Sequence, residues 1–179
     1  MDLAVLDTGA AAPRPDVAPH PQRPAGTVAP RPDAAAPHTP VLLERCLDLL
    51  AGALEGPGAP ERPVMIDCTL GAGGHAEGAL RRFPALSVVG IDRDPEAIAL
   101  ASGRLAPFGR RFRAVRTTYD QVDAVAREAS VRPDGTVDAV LMDLGVSSLQ
   151  LDDAGRGFSY ARPAPLDMRM DQSGGTTAQ

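Results

Sequence analysis

Two aspartates and a glycine-rich loop occupy positions at which α/β proteins bind their ligands. Asp143 directly follows the apolar, β-branched run 137–142, and Asp92 directly follows the apolar run 88–91. Both runs are typical of buried parallel strands. Because parallel strands end along one edge of a sheet and ligands bind at that edge, we predict that these carboxylates take part in one binding site.

The glycine-rich loop 71–74 follows a third apolar run, 64–68, and precedes a predicted helix. Glycine lets the backbone approach a ligand without interference from a Cβ atom, and a helix N-terminus offers unpaired N–H groups to an anion. A tight turn that needs positive φ explains the same glycines without a ligand. Gly71, Gly73 and Ala76 also match the dinucleotide fingerprint G-x-G-x-x-A, which leaves a nicotinamide-dependent oxidoreductase as an alternative.

Asp92 lies about 20 residues beyond the glycine loop, the spacing at which an acid accepts hydrogen bonds from both ribose hydroxyls of a cofactor. The alternative is a solvated carboxylate, or one that competes with Asp94 for capping of the next helix. The polar loop 143–153, DLGVSSLQLDD, separates the two cofactor hypotheses. A dehydrogenase does not require such a loop, whereas a base methyltransferase needs polar groups there to hold cofactor and target together. Methyl transfer is therefore preferred.

Four predicted strands alternate with four predicted helices along the chain. The strands are predicted at 64–68, 88–91, 112–115 and 137–142, and the helices at 41–54, 75–82, 95–105 and 119–129. Asp94 is predicted to cap the helix that begins at Pro95. Strands separated by helices of this length form right-handed βαβ units and a parallel sheet. We therefore predict an α/β fold with a Rossmann-like parallel sheet.

The composition divides the 179 residues into three parts. Residues 1–37 are rich in Ala and Pro without a hydrophobic period, which predicts a disordered tail. Residues 172–179 form a polar tail, so the folded part is 38–171. The opening residues lack the basic segment of a signal peptide, and no apolar run is long enough to span a membrane. Cys46 and Cys68 stand alone, so we expect neither a disulfide framework nor a metal site.

The net charge of -5 argues against binding of nucleic acid through the overall field of the protein. It does not exclude a local basic surface. All 18 basic residues are arginine, which coding bias explains as well as selection for phosphate contacts does. We infer no function from them.

Three segments of the chain together resemble one enzyme family. They read IDCTLGAGGH at 66–75, VVGIDRDPEAI at 88–98 and GVSSLQLDDAGRGFSYARPAPLDMRMD at 145–171. Through them residues 38–171 closely resemble the ribosomal RNA small subunit methyltransferase H family. The resemblance implies a class I methyltransferase that uses S-adenosyl-L-methionine to methylate the exocyclic N4 of a cytidine in 16S rRNA. It also implies 16S rRNA or the small ribosomal subunit as partner, and a cytoplasmic location.

Position by position, the resemblance implies a set of residues that contact the cofactor. They are Gly73, Gly74, His75, Asp92, Tyr119, Asp143 and Gln150. His75 is suited to donate to the carboxylate of the cofactor, and Tyr119, where the family often has Phe, is suited to stack on the adenine. Gln150 is suited to hydrogen bonding in the same pocket. Without the resemblance, His75 and Tyr119 fit ordinary capping or core roles equally well, and Gln150 fits an ordinary loop role better.

Asp143 is also the predicted catalytic residue. The lone pair of a cytidine amine is delocalised into the ring, so its attack on the methyl group depends on alignment and on an acceptor that polarises the N–H bond. Many amino-group methyltransferases have Asp or Asn followed by Pro-Pro-aromatic at this strand end. This chain continues with Leu144-Gly145-Val146 instead, so the identity of the acceptor stays a hypothesis.

A second predicted group would contact RNA whose target base has left its stack. Its members are Arg156, Phe158, Tyr160, Arg162 and Arg169. An ordered lid with surface arginines is the alternative.

Members of the resembled family continue with a helical substrate domain and further strands, whereas 172–179 of this chain read QSGGTTAQ. We therefore predict an amino-terminal fragment that does not methylate RNA by itself. Its fourth strand would lie at a sheet edge without the next partner. The other function hypothesis is a non-catalytic cofactor- or RNA-binding module. The sequence does not fix the oligomeric state and is compatible with a homodimer.

Overall fold

Strands and helices alternate through the residues that this computed structural model describes, which are 40–130, 132–160 and 163–179. The strands are β1 (Val64–Asp67), β2 (Ser87–Asp92), β3 (Phe112–Arg116) and β4 (Ala139–Leu141). The α-helices are α1 (Leu43–Leu54), α2 (Gly74–Arg82), α3 (Pro95–Leu105), α4 (Val122–Ala129) and α5 (Ser148–Asp152). Short 3-10 turns cover Ala106–Arg111, Tyr119–Gln121 and Ala154–Arg156. The predicted disordered tail, 1–37, lies outside the described residues.

The strands form one parallel sheet in the order β3-β2-β1-β4. Met65 of β1 pairs with Val88 of β2 on one side and with Ala139 of β4 on the other. The chain builds the sheet outward from β1 through β2 to β3, and then crosses back to place β4 beside β1. Ligands of open α/β sheets bind outside the carboxyl ends of the strands where the order reverses, here between β1 and β4. The predicted Rossmann-like parallel sheet is confirmed.

Alternate residues of the inner strands enter two apolar cores. Met65 and Val88 pack with residues of α1, α2 and α3 in one core, whereas Ile66 and Val89 pack with Val125 of α4 in the other. The alternation follows from the two-residue period of a strand, which places successive side chains on opposite faces. Because both faces are covered, every residue of β1 is buried, and the ends of the central strands are held firmly.

Helix α3 begins and ends where the sequence predicted. Asp94 caps it, because its Oδ1 accepts a hydrogen bond of 3.0 Å from the backbone N–H of Glu96. Helix α4 begins at Val122 rather than at Tyr119, since the first residues of the predicted helix form a 3-10 turn. The predicted cap is therefore confirmed, and the boundary of α4 is corrected.

Strand β4 spans three residues, whereas the sequence predicted a strand over 137–142. Its start is fixed by Asp138, whose carboxylate accepts a 2.7 Å hydrogen bond from the N–H of Val64 and whose own N–H donates to the Val64 carbonyl at 2.8 Å. Val140 and Met142 remain 46% and 44% exposed. In the described part of the chain β4 pairs with β1 alone, so it forms an edge of the sheet.

Within the described ranges, no helix is long and apolar enough to cross a membrane. Both cysteines are free thiols, and burial raises the pKa of the Cys68 thiol to about 11, which keeps it protonated at neutral pH. No group of three or more His, Cys, Asp and Glu side chains in that part of the chain could hold a metal ion.

Candidate functional site

The glycine loop joins β1 to α2 and is held by the end of β2. The N–H of Leu70 donates to the carbonyl of Ile91 at 3.0 Å, and the N–H of Gly71 donates to Oδ2 of Asp92 at 2.9 Å. The N–H of Gly73 donates to the Leu70 carbonyl at 2.8 Å and closes a turn. The loop therefore has a fixed position relative to the strand ends.

The glycines of this loop are needed for separate reasons. Gly71 and Gly73 have φ values of 50° and 79°, a region that strains residues with a side chain. A Cβ atom on Gly73 would lie 3.0 Å from Cδ1 of Leu105, and one on Gly74 would lie 2.5 Å from Cγ of Pro40. Close packing against Pro40 accounts for glycine at 74, whereas at 73 the positive φ is the main reason and the contact with Leu105 adds to it. A ligand would be contacted by the N–H groups at the start of α2, which have no acceptor within the helix.

Asp92 ends β2 with both carboxylate oxygens oriented by the backbone. Its Oδ2 accepts from Gly71, and its Oδ1 accepts from the N–H of Asp94 at 2.9 Å. Burial raises the pKa of Asp92, and the hydrogen bond from Gly71 opposes that rise. Each carboxylate oxygen can accept a second hydrogen bond. Asp92 therefore combines a fixed orientation with remaining capacity for the hydroxyl groups of a ligand.

Asp67, at the end of β1, is a functional candidate that the sequence analysis missed. It is 1% exposed, its Oδ1 accepts from the N–H of Thr69 at 3.1 Å, and its Oδ2 has no hydrogen-bond partner among the described residues. Burial raises the pKa of its carboxyl group to about 6; His75 opposes the rise, and Asp92 and Asp143 add to it. The sequence offered a signal, since Asp67 is a charged residue near the end of an otherwise apolar run, 64–68.

His75 and Asp143 face each other beside the glycine loop. Nε2 of His75 lies 3.0 Å from the carbonyl oxygen of Val41, and because a carbonyl can only accept, Nε2 carries the proton. Nδ1 lies 3.9 Å from Oδ2 of Asp143, and in a neutral imidazole that nitrogen is an acceptor. Nε2 of His75 is thus engaged by the backbone, and Nδ1 is the ring nitrogen that faces Asp143. The predicted contact of His75 with the cofactor stays a prediction.

Asp143 combines a fixed backbone with an exposed side chain. Its N–H donates to Oγ1 of Thr69 at 2.7 Å, which places it against the connection between β1 and α2. Its side chain is 54% exposed. With the buried Asp67 it forms an acidic region that suits a cation or a group of N–H donors.

Tyr119 and Gln150 lie on the two sides of this region. Tyr119 follows β3, which is separated from β1 by β2, and it is 55% exposed. Gln150, after β4, is buried, and its Oε1 accepts a 3.0 Å hydrogen bond from the N–H of Ser147. The structure brings the glycine loop and the carboxylates together. The exposed ring of Tyr119 lies after β3. After β4, the side-chain carbonyl of Gln150 is engaged by the N–H of Ser147 within its own loop.

One member of the predicted RNA-contacting group, Arg156, is buried. The side chain of Arg156 is 4% exposed and forms an ion pair with Asp94. Because its charge is buried and already paired, Arg156 is not placed to contact phosphate, and that prediction was wrong. Arg169 pairs with a neighbouring aspartate at 2.7 Å, and Tyr160 is fully exposed. Arg162 lies outside the described residues.

Comparison with known proteins gives a consistent result. The model of the MraW methylase family matches residues 35–179. A protein of Beutenbergia cavernae named ribosomal RNA small subunit methyltransferase H is 59% identical over 145 residues, which is 81% of this chain and 41% of that protein. A protein of the same name from Nocardia farcinica is 56% identical over 143 residues, 80% of this chain and 43% of that protein. The chain spans about two fifths of the length of these curated relatives.

Among solved structures, an rRNA methylase from Streptococcus thermophilus superposes with a TM-score of 0.39 at 21% sequence identity. The superposition covers 52% of this chain and 51% of that one.

Proposed function

Because the chain belongs to the MraW methylase family, we propose that it forms the cofactor-binding part of an enzyme that transfers a methyl group from S-adenosyl-L-methionine to N4 of a cytidine in 16S rRNA. The observation that carries the proposal is the convergence of the glycine loop, Asp92 and Asp143 where the strand order reverses. The names of the relatives specify RNA of the small ribosomal subunit. They support this substrate and, with it, action in the cytoplasm.

The residues present fit the separate parts of this cofactor. The N–H groups at the start of α2 suit the methionine carboxylate, because a helix N-terminus favours anions. Asp92 suits the ribose hydroxyls, and the exposed ring of Tyr119 suits the adenine. The unpartnered Oδ2 of Asp67, with His75 and Asp143 nearby, suits the ammonium group. The buried Oδ2 of Asp67, which has no partner within the described chain, supports this placement.

Bound S-adenosyl-L-methionine supplies a methyl group on a positively charged sulfur, and the residues of the chain supply alignment and charge. The carboxylate of Asp143 is exposed, so it can accept a hydrogen bond from the amine of a cytidine that has left its stack. Its negative charge stabilises the amine as the amine becomes positive. The hydrogen bond from its backbone to Thr69 holds Asp143 in place before RNA binds.

A non-catalytic cofactor- or RNA-binding module is the second candidate. Val140, Met142 and Leu144, at and after β4, are 46%, 44% and 67% exposed. We expect additional protein surface to cover these side chains in an active methyltransferase. The 179 residues by themselves are then expected to bind the cofactor without transferring its methyl group to RNA.

The proposal is tested with a chimera in which residues 35–179 replace the matching segment of the full-length Beutenbergia cavernae protein. The chimera is incubated with methyl-labelled S-adenosyl-L-methionine and unmodified small ribosomal subunits, and the rRNA is digested to nucleosides for mass spectrometry. We expect labelled N4-methylcytidine, formed more slowly by a matched chimera that carries Asp143→Ala. Cofactor binding without methyl transfer would support the module instead. Label on another base or atom would refute the cytidine N4 assignment.

A further inference from the structure

Arg156 is a buried basic residue in the post-β4 segment, which we define as residues 153–160 and 163–171. Its side chain is 4% exposed and that of its partner Asp94 is 1% exposed. The guanidinium pairs with Oδ2 of Asp94 and donates to the carbonyl oxygen of Met170 at 3.1 Å. A buried charge is tolerated only where its partners offset the loss of hydration. This contact therefore favours one position of the segment relative to α3.

Asp94 links Arg156 to the proposed ribose site. One carboxylate oxygen of Asp94 pairs with Arg156, and the other accepts from the N–H of Glu96 at the start of α3. The backbone N–H of Asp94 donates to Oδ1 of Asp92 at 2.9 Å. Burial raises the pKa of Asp92, and the charge of Arg156 is among the groups that oppose this rise. Arg156 is thus connected to the Asp92 carboxylate through one intervening residue, Asp94.

The rest of the post-β4 segment is arranged around Arg156. The carbonyl of Arg156 accepts a 3.0 Å hydrogen bond from the N–H of Met168. Met168 and Arg93 line a common cavity of about 350 Å³. Because Arg93 directly follows Asp92, the segment adjoins the end of β2, where the ribose of the cofactor is proposed to lie.

We infer that Arg156 is a positioning residue for the cofactor: its ion pair with Asp94 holds the post-β4 segment against the end of β2 and keeps Asp92 oriented. The inference rests on the proposed binding of S-adenosyl-L-methionine at Asp92. This role differs from the predicted contact with RNA, which the burial of the Arg156 side chain prevents. The affinity for the cofactor then depends on an ion pair that does not touch it.

The test measures the affinity of the full 179-residue chain for S-adenosylhomocysteine by calorimetry and its unfolding midpoint by circular dichroism. Arg156→Met is expected to weaken binding by about tenfold, within the usual range of coupling between sites. The matched control is Arg113→Met, which removes an exposed arginine that pairs with Glu128 on the surface. The control is expected to bind like the unchanged protein. Arg156→Lys keeps the charge with fewer donors, and is expected to fold and to bind with intermediate affinity.

Two further variants separate positioning from stability. Asp94→Asn keeps the cap of α3 but removes the negative charge, and the double variant with Arg156→Met removes both buried charges. The double variant is expected to regain much of the unfolding midpoint, because no unpaired charge stays buried, while its affinity remains low. Equal affinity of Arg156→Met and Arg113→Met would overturn the inference. So would a double variant that regains affinity together with stability. No binding by the unchanged chain would instead overturn the proposed cofactor site and the inference with it.

Discussion

The two sides of the candidate site hold their polar groups differently. One side lies at the ends of β1 and β2, where Asp92 accepts two backbone hydrogen bonds and Asp67 is 1% exposed. On the β4 side, the carboxylate of Asp143 is 54% exposed. The difference follows from the sheet, since β1 and β2 have neighbours on both sides whereas β4 pairs only with β1 in the described chain. A rigid, buried side suits a cofactor bound in one orientation, and an exposed side suits a large substrate that arrives from solvent.

The largest expected effect comes from Gly157→Ala, which disturbs the post-β4 segment. Gly157 has a φ of 71°, and a Cβ atom there would lie 2.4 Å from the carbonyl oxygen of Pro165 and 2.6 Å from the nitrogen of Asp167. Both neighbours are backbone atoms, so neither can turn away. Left-handed strain and overpacking together predict a loss of about 4 kcal/mol in the local stability of the post-β4 segment. Hydrogen exchange of its backbone amides measures this loss.

The control for Gly157→Ala is Gly58→Ala. Gly58 also has positive φ, at 93°, but a Cβ atom there would meet nothing within 4 Å in the described chain. It therefore reports backbone strain without the clash. Amides of β1 and β2 are expected to keep their slow exchange in both variants. Equal acceleration in the central strands and in the post-β4 segment would show that the segment does not open separately from the strands.

The second effect concerns Asp67 and pH. Its pKa in the folded protein is about 6, above the ordinary value of 3.8, so between these values the folded state holds a proton that the unfolded state has released. Stability present at low pH is therefore lost as the pH rises from about 4 to about 6, by roughly 2 to 3 kcal/mol. Asp67→Asn removes the titration. Between pH 4 and 7, the free energy of unfolding of the variant should rise by that amount relative to the unchanged protein, as measured by urea unfolding.

Asp134→Asn provides the matched control for this titration. Asp134 is exposed, and a hydrogen bond from the backbone of Thr136 lowers its pKa. The sign is therefore reversed: the stability that Asp134 contributes is present at neutral pH and is lost as the pH falls. Parallel stability curves for Asp67→Asn and the unchanged protein would mean that Asp67 is not buried as an unpartnered carboxyl group.

The sequence predicted the parts of this site that depend on strand ends. Gly71 and Asp92 are 21 residues apart, yet they bond to each other because each belongs to the end of one of two adjacent parallel strands. The ion pair of Arg156 with Asp94 joins residues 62 positions apart. An arginine in a polar loop looks the same in sequence whether it is exposed or buried. The partner that decides between those states is a product of tertiary packing, which periodicity does not encode.

Asp92→Ala tests whether Asp92 binds the cofactor. Loss of the carboxylate is expected to weaken binding of S-adenosylhomocysteine by about 2 kcal/mol, the scale of hydrogen bonds to a charged group. Asp92→Asn keeps an acceptor oxygen and should lose less. Asp134→Ala is the control, because Asp134 likewise accepts from the backbone two residues ahead, through the N–H of Thr136. Calorimetry measures all three affinities, and an unchanged affinity in a folded Asp92→Ala protein would remove Asp92 from the site.

The smallest expected effect is at Asp143, on the exposed β4 side of the site. If its carboxylate polarises the target amine, Asp143→Asn in the Beutenbergia chimera should lower the single-turnover rate of methylation by about tenfold. Affinity for the cofactor should change much less, because the lost charge matters most as the amine becomes positive. Asp92→Asn should do the opposite, weakening the cofactor complex with a smaller effect on the rate at saturation. Asp152→Asn replaces an exposed carboxylate of the same loop region and should change neither. If Asp143→Asn lowered only the affinity, both sides of the site would serve the cofactor, and the acceptor for the amine would have to come from another residue.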